Sequence, residues 1–218
     1  MTVQELGYQK TPLGELTLRR RLETRLNNRE VFEVKLGDEY LMSSLFTEAE
    51  QQLATLGLAE LEGSLDVVIG GLGLGYTAAE ALKNKNVSSL LVIDLFQTVI
   101  DWHREGFVPL GRGLRDDPRC ELRQGDFFAL AHTGFDTADL TRKFDAVLLD
   151  MTLPGGLSGL EVAKEMLRLD SYTNIVATSG YFEEGASDQE ELSIFSAILP
   201  KPYSVTSLSE AIESALVP

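Results

Sequence analysis

The sequence predicts an α/β protein: a three-layer αβα, doubly wound parallel sheet with a small N-terminal β-hairpin region. Three observations predict it. From residue 65 onward short apolar runs alternate with helix-period segments, and that alternation implies a parallel sheet covered on both faces. A glycine-rich turn, Gly70-Gly-Leu-Gly-Leu-Gly75, lies directly between the first such strand and its helix. The 218 residues are 44% hydrophobic and 24% charged, which suits one large globular domain with a small appendage and argues against disorder.

Residues 1–46 hold short strand-like runs without a helical period. Val31 to Leu36, the pair Gly37-Asp38 and Glu39 to Met42 read as a hairpin, which must pack on the main body or on a second subunit because a lone hairpin is marginal in water. The run Arg19-Arg20-Arg21 reads as a solvated face or as salt-bridge partners for an acidic body. Thr47-Glu-Ala-Glu50 has the form of a capping box and opens a helix to about residue 61, with Leu53, Leu56, Leu58 and Leu61 as its apolar face.

The βα alternation follows. Strands are predicted at 65–70, 89–94, 120–124, 144–149, 174–178 and 197–199. Helices are predicted at 76–83, from 98 with Val99, Ile100 and Trp102, and at 157–169, 187–194 and 204–216. The chain divides into an N-terminal β-hairpin region (1–46), a nucleoside-binding half (47–150) and a second half (151–218) that completes the same sheet. Right-handed crossovers give the strand order 3-2-1-4-5-6 with a switch point between strands 1 and 4.

A net charge of −15 excludes a nucleic-acid partner, which needs a basic face. It fits an acidic surface, or a pocket for a cationic ligand such as a polyamine or a sulfonium. One cysteine, Cys120, and two histidines allow no internal disulfide and no His/Cys zinc set, so no metal is expected. No apolar run reaches membrane-spanning length, and the N-terminus lacks the blocks of a signal peptide. The expected location is cytoplasmic.

Glycines in the turn let backbone approach a ligand closely. Asp94, ending the second strand, suits the hydroxyls of a ribose. The dinucleotide pattern G-x-G-x-x-G/A fits only the late frame Gly73-x-Gly75-x-x-Ala78, because the earlier frame puts Tyr76 in the third position. The G-x-G-x-G of Gly71, Gly73 and Gly75 is the form of S-adenosylmethionine-type sites. Asp126 and Phe127, after the third strand, would meet the adenine: Asp126 by accepting from its amino group, Phe127 by packing on the ring. Asp126 is equally placed to be a helix N-cap.

Residues 14–150 resemble spermidine synthases and their relatives in the class I methyltransferase superfamily, a Rossmann-like fold. The resemblance rests on Tyr40-Leu-Met-Ser-Ser, Val68-Ile-Gly-Gly-Leu-Gly-Leu-Gly75, Val92-Ile-Asp94, Asp116-Asp-Pro-Arg119, Gln124-Gly-Asp126 and Phe144-Asp-Ala-Val-Leu-Leu-Asp150. It implies a small nucleoside ligand, namely S-adenosylmethionine, its decarboxylated form or methylthioadenosine. It also implies transfer of an aminopropyl or methyl group to an amine acceptor, Asp150 as the general base, and a possible homodimer. The family's second aspartate falls at position 153, which is Leu here.

Residues 144–218 resemble the second half of a response-regulator receiver domain. Leu148-Leu-Asp150-Met-Thr-Leu-Pro-Gly, Ile175-Val-Ala-Thr-Ser-Gly-Tyr181 and Leu199-Pro-Lys201-Pro-Tyr carry that resemblance. It implies phosphorylation of Asp150 by a histidine kinase with Mg²⁺, read by Ser179 and Lys201. The acidic pair that would hold the metal falls at Gly70-Gly71-Leu72-Gly73. The two resemblances meet at Asp150, as a recombination of two related α/β folds would. Three expectations follow: a nucleoside-binding transferase, a phosphorelay module, or a recombined fold without activity.

Overall fold

The structure is a computed structural model. It describes residues 3–59, 61–127, 129–130, 146–150, 163–164, 166–168, 174–179 and 193–200, with backbone alone at 146, 148–150, 174, 178–179, 197, 199 and 200.

Among the described residues there are two sheets. The N-terminal one is an antiparallel meander of β1 (Val3–Thr11), β2 (Gly14–Glu23), β3 (Arg29–Leu36) and β4 (Glu39–Ser43). The hairpin expected at Gly37-Asp38 is its last turn: Leu36 pairs with Glu39, and Gly37 takes φ 58°, a value that costs glycine nothing. The region is larger than the predicted hairpin because β1 and β2 join it. Their alternation is blurred by Arg19, Arg20 and Arg21, which are bound within the sheet. Glu33, 2% exposed, lies opposite Arg19 and accepts from Arg19 at 2.7 Å and Arg21 at 2.9 Å. The three arginines are thus ion-pair partners, Arg20 meeting Glu30 at 2.9 Å.

The second sheet is parallel. It comprises β5 (Leu65–Gly70), β6 (Val87–Asp94), β7 (Cys120–Gln124), β8 (Ala146–Asp150), β9 (Asn174–Ser179) and β10 (Ala197–Pro200) in the order β10-β9-β8-β5-β6-β7. That is the predicted 3-2-1-4-5-6. Alternate residues of each strand enter different cores, as the two-residue period of a strand demands. Val67, Ile69, Leu90, Val92 and Val176 join one cluster, while Val68, Leu91, Ile93, Ile175 and Ala177 join the other. Both faces are therefore covered, which explains why these strands are apolar almost throughout.

Helices α1 (Glu48–Gly57), α2 (Tyr76–Ala81), α3 (Gln97–Glu105) and α4 (Gly111–Asp116) follow in chain order. On the second face, Ala163 and Met166 pack with Phe127 and Val147, and residues 163–164 and 166–168 are helical. Helix α4 is absent from the sequence reading, because its two glycines hide it. The capping box does not form: Thr47 makes no side-chain bond to the α1 backbone, and Gln51 Nε2 donates to its hydroxyl at 3.3 Å instead. Of the helix predicted at 187–194, residues 193–194 lie in a turn, and the rest lies outside the described residues, as does that at 204–216.

The N-terminal sheet shares the first core through Leu16, Leu18, Val34 and Leu36. At Gly7, beside an irregularity in the β1–β2 pairing, β1 meets the indole of Trp102 on α3 so closely that a Cβ would overlap it. Gly7→Ala should therefore destabilise the protein by about 1–3 kcal/mol, the usual cost of overpacking. Urea denaturation measures it, and an unchanged midpoint would show that β1 is free to move off α3.

Candidate functional site

The β5–α2 connection turns sharply through three glycines in the left-handed region: Gly71 (φ 95°), Gly73 (φ 51°) and Gly75 (φ 86°). Other residues are strained there. A Cβ on Gly75 would also lie 2.7 Å from Leu114 Cδ1 and 2.8 Å from His103 Cε1. The turn is held by its own backbone and by the neighbouring strand. Gly75 N donates to the Leu72 carbonyl at 2.8 Å, and Gly71 N to the Ile93 carbonyl at 2.8 Å.

Asp94 ends β6 beside this turn and is 8% exposed. Its Oδ2 accepts from Leu72 N at 2.8 Å and its Oδ1 from Phe96 N at 2.8 Å, and Gly73 N–H also donates to it. Burial pushes the carboxyl above its ordinary value of 3.8, and the three amide donors oppose that rise. From the other side comes His103 of α3, fully buried, with Nε2 3.0 Å from the Gly73 carbonyl. A carbonyl only accepts, so the proton sits on Nε2, and Nδ1 is buried without a hydrogen bond. Burial holds this imidazole below its ordinary 6.5, against the raising effect of the Gly73 bond.

Over the turn lies a cavity of about 310 Å³, at the lower end of the range for small-molecule sites. Its floor is the glycine turn with Asp94. Its roof comes from the N-terminal sheet and α1: Val34, Leu41, Met42 and Leu53. Met42 lies 3.6 Å from where a Cβ on Gly73 would stand. Three carboxylates line the cavity, those of Glu50, Asp94 and Asp126, and no Lys, Arg or His is among its described lining residues. An apolar space with net negative charge suits a ligand with an apolar body and a positive charge. It repels a pyrophosphate, which is a physical reason, beyond the glycine spacing, to set a dinucleotide aside.

Residues 48–187 match the Spermine/spermidine synthase domain, more than half of the chain. The chain belongs to the spermine/spermidine synthase domain family. Among curated relatives, the polyamine aminopropyltransferase of Pyrobaculum calidifontis is 27% identical over 140 residues, 63% of this chain and 46% of the relative. That of Nitrosomonas europaea is 36% identical over 90 residues, 41% of this chain and 26% of the relative. The chain thus spans less than half the length of these relatives. A crystal structure of spermidine synthase from Thermotoga maritima superposes with a TM-score of 0.58 at 18% identity, covering 74% of this chain and 52% of that one. A spermidine synthase in complex with the transition state analogue AdoDATO also superposes at 0.58, again at 18% identity, covering 75% of this chain and 51% of that one. These likenesses show the fold.

The family match runs through the seam at Asp150 and across residues 151–187, where the sequence resembles a receiver. A chimera joined at Asp150 is therefore not needed to account for that stretch.

The sequence-predicted residues fall into three groups. Gly71, Gly73, Gly75 and Asp94 come together at the cavity floor. Asp126 and Phe127 also line the cavity, and each has a structural contact besides. Asp126 Oδ1 accepts from Ala129 N at 3.1 Å, the N-capping arrangement left open by the sequence. Phe127 is 3% exposed and belongs to the second core; its ring fills the space a Cβ on Gly70 would need, 2.8 Å away. Phe127 is thus first a core residue under β5, since Gly70 has no side chain of its own to fill that space. The third group is known by backbone alone. Leu149 pairs with Gly70 in the sheet register and Asp150 with Thr178, so Asp150 follows at the end of β8, next to the start of the glycine turn. Ser179 ends β9, and Lys201 lies outside the described residues. Sequence reasoning missed His103 and the place of Glu50. His103 lies 30 residues from Gly73, and nothing local announces the contact.

The buried imidazole predicts a pH dependence. Below pH 6.5 the unfolded chain takes up a proton that folded His103 resists, so stability falls from there down to the lowered folded value. In thermal melts between pH 7 and pH 5, His103→Gln should lose less stability than the wild type. Parallel curves would contradict a neutral buried His103.

Proposed function

We propose that this chain is the nucleoside-binding part of an aminopropyltransferase, taking decarboxylated S-adenosylmethionine as donor and an amine as acceptor. The observation that carries this reading is the cavity itself: an apolar space over a glycine turn, in which the charged groups among the described lining residues are all carboxylates. A sulfonium nucleoside matches it in shape and sign. The relatives named above as polyamine aminopropyltransferases support the same donor.

The residues fit the donor as follows. The turn at Gly71, Gly73 and Gly75 admits the nucleoside close to backbone, and Asp94, with lone pairs beyond those its amide donors use, accepts from the ribose hydroxyls. Asp126 lies at the adenine end. The acceptor's neutral amine nitrogen attacks the methylene carbon attached to sulfur. A C–N bond forms, the C–S bond breaks, its electron pair leaves on sulfur, and methylthioadenosine departs. Asp150 acts as general base and takes a proton from the attacking amine, so that the product amine is neutral. The protein's contribution is to hold two reactants in line and remove one proton.

Calorimetric titration with decarboxylated S-adenosylmethionine and methylthioadenosine tests the binding step, and heat from neither would sink the proposal. The transfer step is tested by incubating donor with putrescine and following release of methylthioadenosine. Asp150→Asn should slow release about 10²-fold or more, the usual contribution of a general base, while leaving donor binding in place. A variant as fast as the wild type would remove Asp150 from the reaction. Acetyl phosphate with Mg²⁺, followed by intact mass, separates the phosphorelay alternative: a phosphoryl adduct absent from Asp150→Asn would favour it instead.

A further inference from the structure

Among the described lining residues, Glu50 is the carboxylate that the family motifs in this sequence do not account for. It stands in the first turn of α1, three residues after Thr47, and that spacing marks it as a capping residue. The cap does not form. Glu50 instead lines the cavity together with Leu53 of the same helix and Met42 of β4. It is near enough to Tyr76, the first residue of α2, for its charge to raise the Tyr76 phenol, whose shift comes mainly from burial. Tyr76 is held by a hydrogen bond with Ser44. Arg29, the cation whose charge also reaches Tyr76, donates to the Ser44 carbonyl at 3.4 Å and is not part of the cavity lining.

The three carboxylates therefore have different tasks open to them. Asp94 accepts from backbone amides of the glycine turn, and Asp126 accepts from Ala129 N. Glu50 lies on the roof side, on the helix that closes the cavity over the ligand. We propose that Glu50 is the specificity-determining carboxylate of this cavity, facing the positive charge of the bound donor and selecting cationic nucleosides over their neutral thioethers. The inference rests on the nucleoside reading above. Its physical basis is Coulombic: opposite charges in a space lined by apolar groups attract far more than in water. A neutral thioether gains nothing from that charge, so Glu50 binds donor more tightly than spent product and favours turnover.

The test uses the full chain and two probes sharing one nucleoside. Decarboxylated S-adenosylmethionine is cationic at sulfur and at its amine, whereas methylthioadenosine is neutral. Glu50→Gln keeps the shape and removes the charge. By calorimetry it should weaken the cationic probe about ten-fold, equivalent to about 1.4 kcal/mol, and leave methylthioadenosine within about two-fold. Glu50→Asp, which keeps the charge, should retain most of the preference. Equal weakening of both probes would overturn the inference and leave Glu50 a residue that only shapes the cavity. No weakening of either would overturn it too. Wild-type protein that binds neither probe would instead bring down the nucleoside reading, and this inference with it.

Discussion

The site depends on one buried carboxylate. Asp94 lies at the end of β6 with almost no access to water, and such a group is tolerated only with donors around it. The donors are backbone amides of the adjoining turns, Leu72, Gly73 and Phe96. That requirement fixes the glycine turn in space, and the turn can comply only because positions 71, 73 and 75 carry no side chains. His103 completes the arrangement from the opposite side. Gly73 is gripped at both of its polar groups, its N–H by Asp94 and its carbonyl by His103. The two groups belong to the peptide planes on either side of the Gly73 Cα, so the two contacts together hold both of its backbone dihedrals.

The rigid floor explains why the N-terminal sheet matters. A glycine turn and a strand-end carboxylate are open to water unless something covers them. The cover here is Met42 and Val34 from the meander and Leu53 from α1, anchored to the main sheet through a shared core and through the contact of Gly7 with Trp102. Enclosure lowers the local dielectric, and that gives the lining carboxylates their reach. The overall charge of −15 is therefore of less consequence for the ligand than the sign of the few charges inside the cavity.

The sequence makes the parallel sheet legible because its information is local. Strands buried on both faces are short apolar runs, and β5 to β10 all fall where those runs are. The glycine turn is legible for the same reason, since each positive φ leaves a glycine in the sequence. What escapes is whatever depends on contacts distant in the chain. His103 looks like an ordinary polar residue on an amphipathic helix. Glu50 has the spacing of a capping residue, and only the packing of α1 against the meander turns it to the cavity. Phe127 sits one residue from a motif aspartate, so proximity suggested a ligand contact. The ring does line the cavity, and it has a second task that the sequence does not announce: it fills the space that the bare backbone of Gly70 leaves in the central strand. Helix α4 is hidden by Gly111 and Gly113, whose low helix propensity is overridden by packing: the backbone of His103 lies where a Cβ on Gly111 would stand.

The same geometry weighs on the rival chemistry at Asp150. A phosphoacceptor site of the receiver type needs acidic side chains ending the central strand next to the phosphorylated aspartate, to hold Mg²⁺ against two negative groups. In this sheet that place belongs to Gly70 and Gly71, and the register of β5 with β8 sets them beside Leu149 and the end of its strand. Gly71 has φ 95°, a conformation in which an aspartate would be strained. The strand-end acid on the other side, Asp94, ends β6 and is separated from β8 by the whole of β5. The side-chain-free end of β5 that lets the glycine turn form is thus the same feature that leaves a receiver-type metal site without its acidic pair.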